Sequence, residues 1–332
     1  MTLVGIIANP ASGKDIRRLV AHATVVSNHE KVSIVRRLLL AISNMGVEQV
    51  QIMPDQFGIG TRALRGLWDH PGILSRTSLL DMEVLGEPAD TERAAARLRE
   101  QSAGCIVVLG GDGTCRAAAK TCGDVPLLPI STGTNNVVPT FVEGTVAGLA
   151  AGYVAQHDGA TLPEVCSRHK RLLIRVGDRV VDQALVEVAA IAARFIGSRA
   201  VWDQELLRQI FVTRASPATI GLSAILGMVH PVTPEDPWGA LARLDPRAER
   251  VQAVLAPGRV VPVGVHRATT LQPGDWHNVT SERPLVLALD GEREIVLGED
   301  DEAAIGLDLD GPWIVDVPRA LLRAVAEGAF AA

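Results

Sequence analysis

The pentapeptide Gly-Gly-Asp-Gly-Thr at 110–114 directly follows the apolar run 105–109, and no other segment constrains the fold as strongly. An apolar run that stops at glycines predicts a buried strand that leads into a tight turn. Glycine lets a backbone approach a polyphosphate without an intervening Cβ, and the aspartate can face a metal ion or a reacting hydroxyl there. Residues 114–120 predict a helix whose positive N-terminal end points at the same place. The motif indicates phosphate handling; the alternative is a plain glycine-rich turn.

Length and composition argue against several classes of function. A chain of 332 residues exceeds what one hydrophobic core usually serves, so we expect two domains. Only 3% of the residues are aromatic, which argues against stacking on single-stranded nucleic acid. The formal net charge of -6 argues against any nucleic-acid partner, because phosphate backbones are held by clustered lysine and arginine.

Neither the cysteines nor the apolar segments indicate export or a membrane span. The four cysteines show no CxxC spacing and are typical of small buried residues in a reducing compartment: Cys105, Cys115, Cys122 and Cys166. No segment reaches the roughly 18 apolar residues that span a bilayer. The apolar run at 3–8 lacks a preceding basic region, which predicts a first strand and not a signal peptide. We therefore expect a cytoplasmic protein with no stable membrane association.

The first half of the chain alternates strand and helix patterns. Its apolar runs predict strands at 3–8, 47–53, 105–109 and 125–130. Helical spacing of apolar residues predicts helices at 33–45, 91–101 and 114–120, the second of them capped by Asp90. This alternation is typical of an α/β domain with an open parallel sheet. Ligands of such sheets bind at the carboxyl ends of the strands, where the chain has three polar turns: 9–14, 110–114 and 131–136.

After about residue 165 the pattern becomes mainly β. Short β-like runs occur at 171–176, 251–256, 259–265, 284–289 and 294–297. Two helices are predicted at 203–214 and 218–229, and the proline-rich segment 231–246 is predicted to be a surface loop. Residues 318–330 have helical periodicity, with Pro318 at a permitted helix start. We expect an α/β domain at 1–165, on which a C-terminal helix at 318–332 packs, and a mainly β domain at 166–317.

The other two turns carry groups that suit a nucleotide. Residues 131–136 supply hydroxyls and amides for ribose and phosphate oxygens, or they form an asparagine-capped turn before a helix. The first turn contains Ser-Gly-Lys but lacks the GxxxxGK spacing of a P-loop. No GxGxxG follows any predicted strand, which argues against a dehydrogenase. Arg116 and Lys120, on the helix after the motif, are predicted to belong to a solvated helical face; the alternative is that they reach a phosphate.

Together the three turns resemble the superfamily of NAD kinases and diacylglycerol or sphingosine-type lipid kinases. Asn-Pro-x-Ser-Gly, Gly-Gly-Asp-Gly-Thr and Thr-Gly-Thr-x-Asn occur in that superfamily's order, and the chain is most similar to its acetoin catabolism protein X branch. The resemblance implies an open α/β domain, a β-sandwich-like second domain and an active site in the cleft between them. It implies Asp112 as the catalytic base on the acceptor hydroxyl. It also implies nucleotide and phosphate contacts from Asn9, Ser12, Gly110, Gly111, Gly113, Thr114, Thr132, Gly133, Thr134, Asn135 and Asn136.

Two segments of the second half resemble the acceptor side of NAD kinases. The segment 184–188 is similar to their Leu-Asn-Glu element, which contacts the dinucleotide, with Glu187 retained and Val186 in place of the asparagine. Residues 218–225 are similar to their stretch Thr-Pro-Thr-Gly-Ser-Thr-Ala-Tyr, with several departures. An apolar valine cannot replace an amide that bonds a base or ribose, so both departures count against NAD as the acceptor.

A further segment, 289–292, resembles the Asp-Gly-Glu element of lipid kinases, in which an acidic residue approaches the site from the second domain. The resemblance implies Asp290 and Glu292 beside the acceptor, where they help to hold a metal ion or to activate the hydroxyl. The alternative is a type I′ hairpin turn, because Asp-Gly between β-like runs is a strong hairpin signal. A second Asp-Gly pair at 310–311 competes for the same assignment.

These observations predict an ATP-dependent kinase that transfers a phosphoryl group to a hydroxyl, with Mg²⁺ as charge partner and Asp112 or Asp290 as its possible ligand. NAD is the first candidate acceptor. Another small hydroxylated metabolite or a lipid diol is the alternative acceptor, and polyphosphate is the alternative donor. A catalytically silent nucleotide-binding accessory protein is the alternative from another class. Because NAD-kinase-like proteins often self-associate, we expect a homo-oligomer.

Overall fold

The computed structural model describes residues 2–12, 26–133, 135–157, 159–193, 204–279 and 284–331. The helices are α1 (Asn28–Asn44), α2 (Ile59–Arg65), α3 (Pro71–Leu74), α4 (Pro88–Glu100), α5 (Asp112–Ala119), α6 (Gly144–Ala155), α7 (Leu162–Val165), α8 (Ser223–Gly227) and α9 (Val317–Ala326). Strands β1 to β6 are Leu3–Ala8, Gln49–Ile52, Thr77–Leu79, Cys105–Gly110, Leu127–Ser131 and Cys166–Arg168. Strands β7 to β12 are Arg171–Val176, Arg179–Ala184, Glu187–Ile191, Leu207–Val212, Gly239–Leu244 and Arg250–Ala256. Strands β13 to β18 are Arg259–Leu271, Trp276–Asn278, Leu285–Leu289, Glu292–Leu297, Ala303–Asp308 and Trp313–Val315.

The first sheet is built around β1, β4 and β5, which are buried at every position. Strands buried on both faces read as continuous apolar runs, which is why the sequence predicts them well. The strand order is β3-β2-β1-β4-β5-β18-β6, and every neighbouring pair is parallel except β18 with β6. The predicted α/β architecture with a mostly parallel sheet is confirmed. Because β1, β4 and β5 are adjacent and parallel, the turns that follow them lie at one edge of the sheet.

The helix predicted at 33–45 begins five residues earlier, at Asn28, because Ser27 caps it by accepting the N–H of Glu30. Two further helix starts differ from the prediction. The helix predicted at 91–101 begins at Pro88. Proline suits the first helical position because a backbone N–H there has no hydrogen-bond acceptor within the helix. Asp90 is therefore inside the first turn and is not the cap; its carboxylate accepts backbone N–H groups of the preceding loop. The helix predicted at 114–120 begins at Asp112, with Gly111 as the N-cap. The aspartate of the motif is thus held by a helix and not by a free loop.

The second half folds into two antiparallel sheets that pack face to face. Their strand orders are β12-β13-β11-β10-β9-β15-β16 and β14-β17-β7-β8. Apolar side chains of both sheets share one core, among them Ile174, Phe211 and Leu287. The other face of the larger sheet is packed against α8. This is the sandwich-like arrangement that the resemblance implies.

Two predictions for the second half are wrong, and a third is only partly confirmed. The described part of the predicted helix 203–214 is a short 3-10 turn followed by β10. β10 lies in the larger sheet with Ile210 buried on one face and Phe211 on the other, so its apolar residues show no alternation and resemble a buried helix. The predicted loop 231–246 contains β11 between two of its prolines. The prolines flank the strand and do not interrupt it. The helix predicted at 218–229 is reduced to the five residues of α8.

The C-terminal helix α9 lies against helices of the first half. Ala320 and Ala324 are buried in the same apolar cluster as residues of α1 and α6. At its C-terminal end, Tyr153 Oη donates a hydrogen bond to Glu327 at 2.7 Å. Asp316 caps the helix by accepting from the N–H of Arg319. The chain therefore returns to the first sheet after building the second and third.

The four cysteines are buried with free thiols, as the sequence predicts. Burial raises the pKa of each thiol above its ordinary value, so these groups are inert at neutral pH. Within the described ranges no helix is both long enough and apolar enough to cross a membrane.

A glycine fixes the position of α1, the helix that carries part of the site described below. A Cβ on Gly148 of α6 would lie 2.7 Å from Ala41 Cβ and 2.8 Å from Leu38 O, both on α1. We expect Gly148→Ala to push the helices apart and to cost about 1–3 kcal/mol of stability. This loss of stability is measured as a fall in the midpoint of urea unfolding. Gly72→Ala is the control, because nothing lies within 4 Å of a Cβ there; equal midpoints for the two variants would contradict the prediction.

Candidate functional site

The three polar turns meet at one edge of the first sheet. Asn9 Nδ2 donates to Thr114 Oγ1 at 3.0 Å, which joins the turn after β1 to the motif after β4. The hydroxyl oxygens of Ser12 and Thr132 lie 2.9 Å apart, which joins the first turn to the third. Thr132 N also donates to Gly110 O at 3.2 Å. The structure therefore brings together the turns that the sequence singles out.

Other groups pack closely against the glycines of the motif. A Cβ on Gly110 would collide with the first turn of α5. A Cβ on Gly111 would lie 2.8 Å from Asn136 Oδ1, closer than real Cβ contacts. The position of a Cβ on Gly113 is 3.4 Å from the carboxylate of Glu292, which comes from the second half. The absence of side chains lets the third turn and a distant carboxylate approach the loop.

Asp112 is nearly buried, with 8% of its surface exposed, yet its side chain lines the cleft beside the turns. Its carboxylate accepts backbone hydrogen bonds from Val137 at 3.0 Å and from Val138 at 2.8 Å. Desolvation by burial raises the pKa of Asp112 to about 6. The hydrogen bond from Val138 lowers this pKa, and the negative charge of Asp290 raises it further. A carboxylate that titrates near neutrality can accept a proton at physiological pH.

Lys31 is a buried residue of the site that the sequence reasoning missed. It lies on α1 with none of its surface exposed. Its Nζ donates to Asn9 O at 2.8 Å, to Ser12 O at 3.1 Å and to Ser12 Oγ at 2.8 Å. The lysine therefore fixes the first turn and puts a positive charge beneath it. The available signal was its place on the apolar face of α1, where Val35 and Leu38 follow at helical spacing.

The hairpin of β15 and β16 brings three carboxylates of the second half to the cleft: Asp290, Glu292 and Glu294. Asp290 and Gly291 form its two-residue loop, both with positive φ, as a type I′ turn requires. The hairpin interpretation is therefore correct, and the same turn also lines the cleft together with Glu292. The carboxylate of Asp290 accepts the N–H groups of Leu185 and Val186 at 3.0 and 2.8 Å. The competing pair at 310–311 is outside the cleft lining.

Arg116 joins the motif helix to the second half, which corrects the prediction that it lies on a solvated face. Its side chain is 6% exposed. Nη2 is 2.9 Å from Glu294, Nη1 is 3.4 Å from Asp182 and Nε is 3.6 Å from Asp290. Lys120, one turn later, is partly exposed and also pairs with Asp182, at 2.8 Å. The sequence does contain a signal for this burial: α5 has small residues on every side, and a helix that is apolar on all sides is a buried helix.

These elements enclose a cleft of about 610 Å³, a size that suits one nucleotide-sized ligand. Nine of the predicted nucleotide contacts line it: Asn9, Ser12, Gly111, Gly113, Thr114, Thr132, Gly133, Asn135 and Asn136. Gly110 is the last residue of β4 and is outside the lining, while Thr134 lies outside the described residues. Of the acceptor-side residues, Asp290 and Glu292 line the cleft. Glu187 is buried and lines a separate, much smaller hollow that also borders Asp112.

The segment around Val186 belongs to the core. Leu185 and Val186 are at most 1% exposed and pack in the apolar cluster on one face of the first sheet, which also contains Cys115 of α5. The side chain that replaces the amide of the Leu-Asn-Glu element therefore lies in the core and lines neither the cleft nor the hollow. This arrangement gives the departure seen in the sequence a structural reason.

A set of carboxylates lines the cleft, but within the described ranges no group of three or more His, Cys, Asp or Glu side chains could hold a metal ion. Mg²⁺ in nucleotide sites is usually held by one or two carboxylates, with phosphates and water as its other ligands. Asp112 and Glu292 fit that smaller donor set, because both line the cleft at the glycine loop.

Comparison with known proteins identifies both parts of the chain. Residues 4–158 match the family model described as the ATP-NAD kinase N-terminal domain. Residues 170–310 match the one described as the acetoin catabolism protein X C-terminal domain. The chain is 40% identical, over 97% of its own length and 92% of the relative's, to acetoin catabolism protein X from Cupriavidus necator.

Among solved structures, the chain is similar to yeast NADH kinase complexed with NADH, with a TM-score of 0.46 at 13% identity, over 98% of this chain and 88% of that one. It is also similar to a diacylglycerol kinase from Bacillus anthracis, with a TM-score of 0.45 at 12% identity, over 95% and 96% of the two chains.

The ion cluster of Arg116 generates a prediction about stability. Arg116→Met removes one partner from carboxylates that are themselves largely buried, which typically costs about 3–5 kcal/mol. We expect a clear fall in the melting temperature and in the urea midpoint. Arg247→Met is the control, because Arg247 is 94% exposed and such substitutions usually change stability by about 0.5 kcal/mol or less. If both variants melt like the wild type, the cluster does not hold the two halves together.

The buried lysine generates a prediction about ligand binding. Lys31→Met removes charge-assisted hydrogen bonds to the first turn, each worth about 1.5–3 kcal/mol. We therefore expect the affinity for ATP, measured by calorimetry, to fall about tenfold or more. Arg37→Met, an exposed cation on the same helix that pairs with Glu30, should leave the affinity unchanged. Unaltered ATP binding by Lys31→Met would contradict a role of the first turn in phosphate binding.

Proposed function

The chain belongs to the acetoin catabolism protein X family, a branch of the ATP-NAD kinase-like proteins, and on this premise we propose that it is an ATP-dependent phosphotransferase that acts on a hydroxyl group. The observation that carries the proposal is the convergence of the three turns around Asp112 in one cleft. We infer that the triphosphate lies along the turns with its γ-phosphoryl group near the glycine loop.

The reaction forms a bond between the acceptor oxygen and the γ-phosphorus and breaks the bond from that phosphorus to the β,γ-bridging oxygen, which leaves with ADP. The hydroxyl proton goes to the carboxylate of Asp112. Backbone N–H groups at the start of α5 and the positive end of that helix favour the charge on the phosphoryl oxygens. The ammonium group of Lys31, which lies beneath the first turn, also stabilises the negative charge on the phosphoryl oxygens.

Mg²⁺ is the cofactor we propose beside ATP, held by Asp112 or Glu292 together with the phosphates. When bound, it neutralises the negative charge of the transferring group. Asp290 is the weaker of the candidates because its two oxygens already accept three backbone N–H groups. Its charge instead raises the pKa of Asp112.

NAD is the first acceptor to test, because the first half matches the NAD kinase model. A small hydroxylated metabolite is the second candidate. The burial of Val186 in the core favours it, since no amide is available there to bind a base or ribose.

The test is turnover of ATP by the full chain, measured as ADP release with NAD or with small alcohols, for the wild type and for Asp112→Asn. We expect Asp112→Asn to lose at least a hundredfold in kcat, because the base that receives the proton is gone. The wild-type rate should fall as the pH drops below about 6, where Asp112 becomes protonated. Glu30→Gln, at an exposed position, is the control for handling and folding. ATP binding without turnover on any acceptor would favour a nucleotide-binding accessory protein.

A further inference from the structure

Asn28, the first residue of α1, carries a buried polar atom that the fold leaves without a partner. The residue is 8% exposed and lines the cleft. Its Oδ1 has no hydrogen-bond partner among the residues that the structure describes. A buried acceptor without a donor costs free energy, and most such atoms in native proteins are paired. Because Asn28 belongs to the wall of the cleft, a ligand that brings a hydrogen-bond donor to it would satisfy this atom.

Asn28 lies toward the end of the cleft that is farther from the glycine loop. The strand order places β2 beside β1, with β4 on the other side of β1. Neighbouring strands are about 4.8 Å apart, so the loop after β2 begins about 10 Å from the glycine loop after β4. The ring of His29, next to Asn28, contacts the ring of Phe57 in that far loop, with 5.5 Å between the centroids. Because the γ-phosphoryl group is proposed to lie at the glycine loop, the nucleoside extends toward Asn28.

The far end of the cleft offers an apolar and aromatic surface. Met53, Pro54 and Phe57 of the loop after β2 line it, together with Val84 of the loop after β3. The guanidinium of Arg62 lies over the ring of Phe57, 4.1 Å from its centroid, which holds the ring in place. A nucleobase of any kind can stack on an aromatic ring. This end of the cleft therefore suits the base of a nucleotide.

The polar groups at the same end disfavour phosphate and favour a hydrogen-bond donor. Asp55 and Glu87 line the cleft there and carry carboxylates. These carboxylates repel an anion, and a phosphate oxygen cannot satisfy Oδ1 of Asn28 because both atoms are acceptors. An exocyclic amino group is uncharged and donates hydrogen bonds. Adenine carries such a group where guanine has a carbonyl oxygen.

We propose that Asn28 and Phe57 form the nucleobase site of the cleft, and that Asn28 selects adenine over guanine. The base stacks on Phe57, and Oδ1 of Asn28 accepts a hydrogen bond from the amino group of adenine. Guanine would place its carbonyl oxygen against Oδ1, which leaves two buried acceptors facing each other. The inference rests on the proposed ATP-dependent function and adds the residue that determines which nucleotide is the donor.

The experiment measures the affinity of the full chain for ATP, GTP and purine riboside triphosphate by calorimetry with Mg²⁺ present. Purine riboside triphosphate has a hydrogen atom in place of the amino group of adenine. We expect the wild type to bind ATP at least tenfold more tightly than either of the other two nucleotides, because only ATP supplies a donor to Oδ1. Asn28→Leu, which is similar in size but apolar, should bind ATP and purine riboside triphosphate with equal affinity.

Two further variants and a stability measurement act as controls. Asn44→Leu makes the same substitution at the exposed last residue of α1, outside the cleft lining, and should keep the wild-type affinity ratio. Phe57→Leu should weaken both nucleotides by a similar factor, because stacking does not depend on the amino group. Asn28→Leu should not lower the melting temperature of the ligand-free protein, because it removes a polar atom that has no partner there. A lower melting temperature would show a structural partner for the amide and would count against the inference.

The outcomes separate this inference from the proposed function, whose own measure is turnover that depends on Asp112. If Asn28→Leu weakens ATP and purine riboside triphosphate by the same factor, Asn28 contacts the ribose or the phosphates and the inference is overturned. It is also overturned if the wild type binds all three nucleotides equally. In both cases the phosphotransferase function stands. If the wild type binds no ATP, the proposed function itself fails and the inference fails with it.

Discussion

The contact of Arg116 with three carboxylates of the second half is the interaction on which the geometry of the site depends. The guanidinium is carried by the helix that begins with Asp112, and its partners lie on β8, β16 and the hairpin loop at Asp290. Removing water from charged groups costs free energy that offsets their attraction, so the cluster adds little to net stability. Its main effect is to fix how the two halves are placed against each other. In this arrangement the carboxylate of Glu292 lies beside the glycine loop, 3.4 Å from the position of a Cβ on Gly113.

The environment of Asp112 results from opposing effects. Burial disfavours the charged carboxylate, and the nearby charge of Asp290 adds to this. The hydrogen bonds from Val138 and Val137, and the charge of Arg214, favour it. The raised pKa means that desolvation outweighs the hydrogen bonds, so the folded protein holds this proton more tightly than the unfolded chain does. The stability that this group contributes is therefore lost as the pH rises from about 4 to about 6.

The sequence was sufficient for the features that depend on local chemistry. The strands before the three turns are continuous apolar runs ended by glycine or polar residues, and β1, β4 and β5 lie where predicted within one to two residues. The sequence was insufficient where tertiary contacts determine the burial or the conformation of a segment. Lys31 and Arg116 look like ordinary helical cations, and only the packing of α1 and α5 buries them. β10 resembled a helix because it is covered on both faces, a property of the sandwich and not of its own residues.

The position of the Asp290 carboxylate follows from how the two halves are joined. Leu185 and Val186 contribute apolar surface to the core around α5, while the N–H groups of the same two residues bind Asp290. One short segment thus packs the interface between the two halves and orients the carboxylate of Asp290. An amide at Val186 would need a hydrogen-bond partner in that core, which the surrounding apolar side chains do not offer.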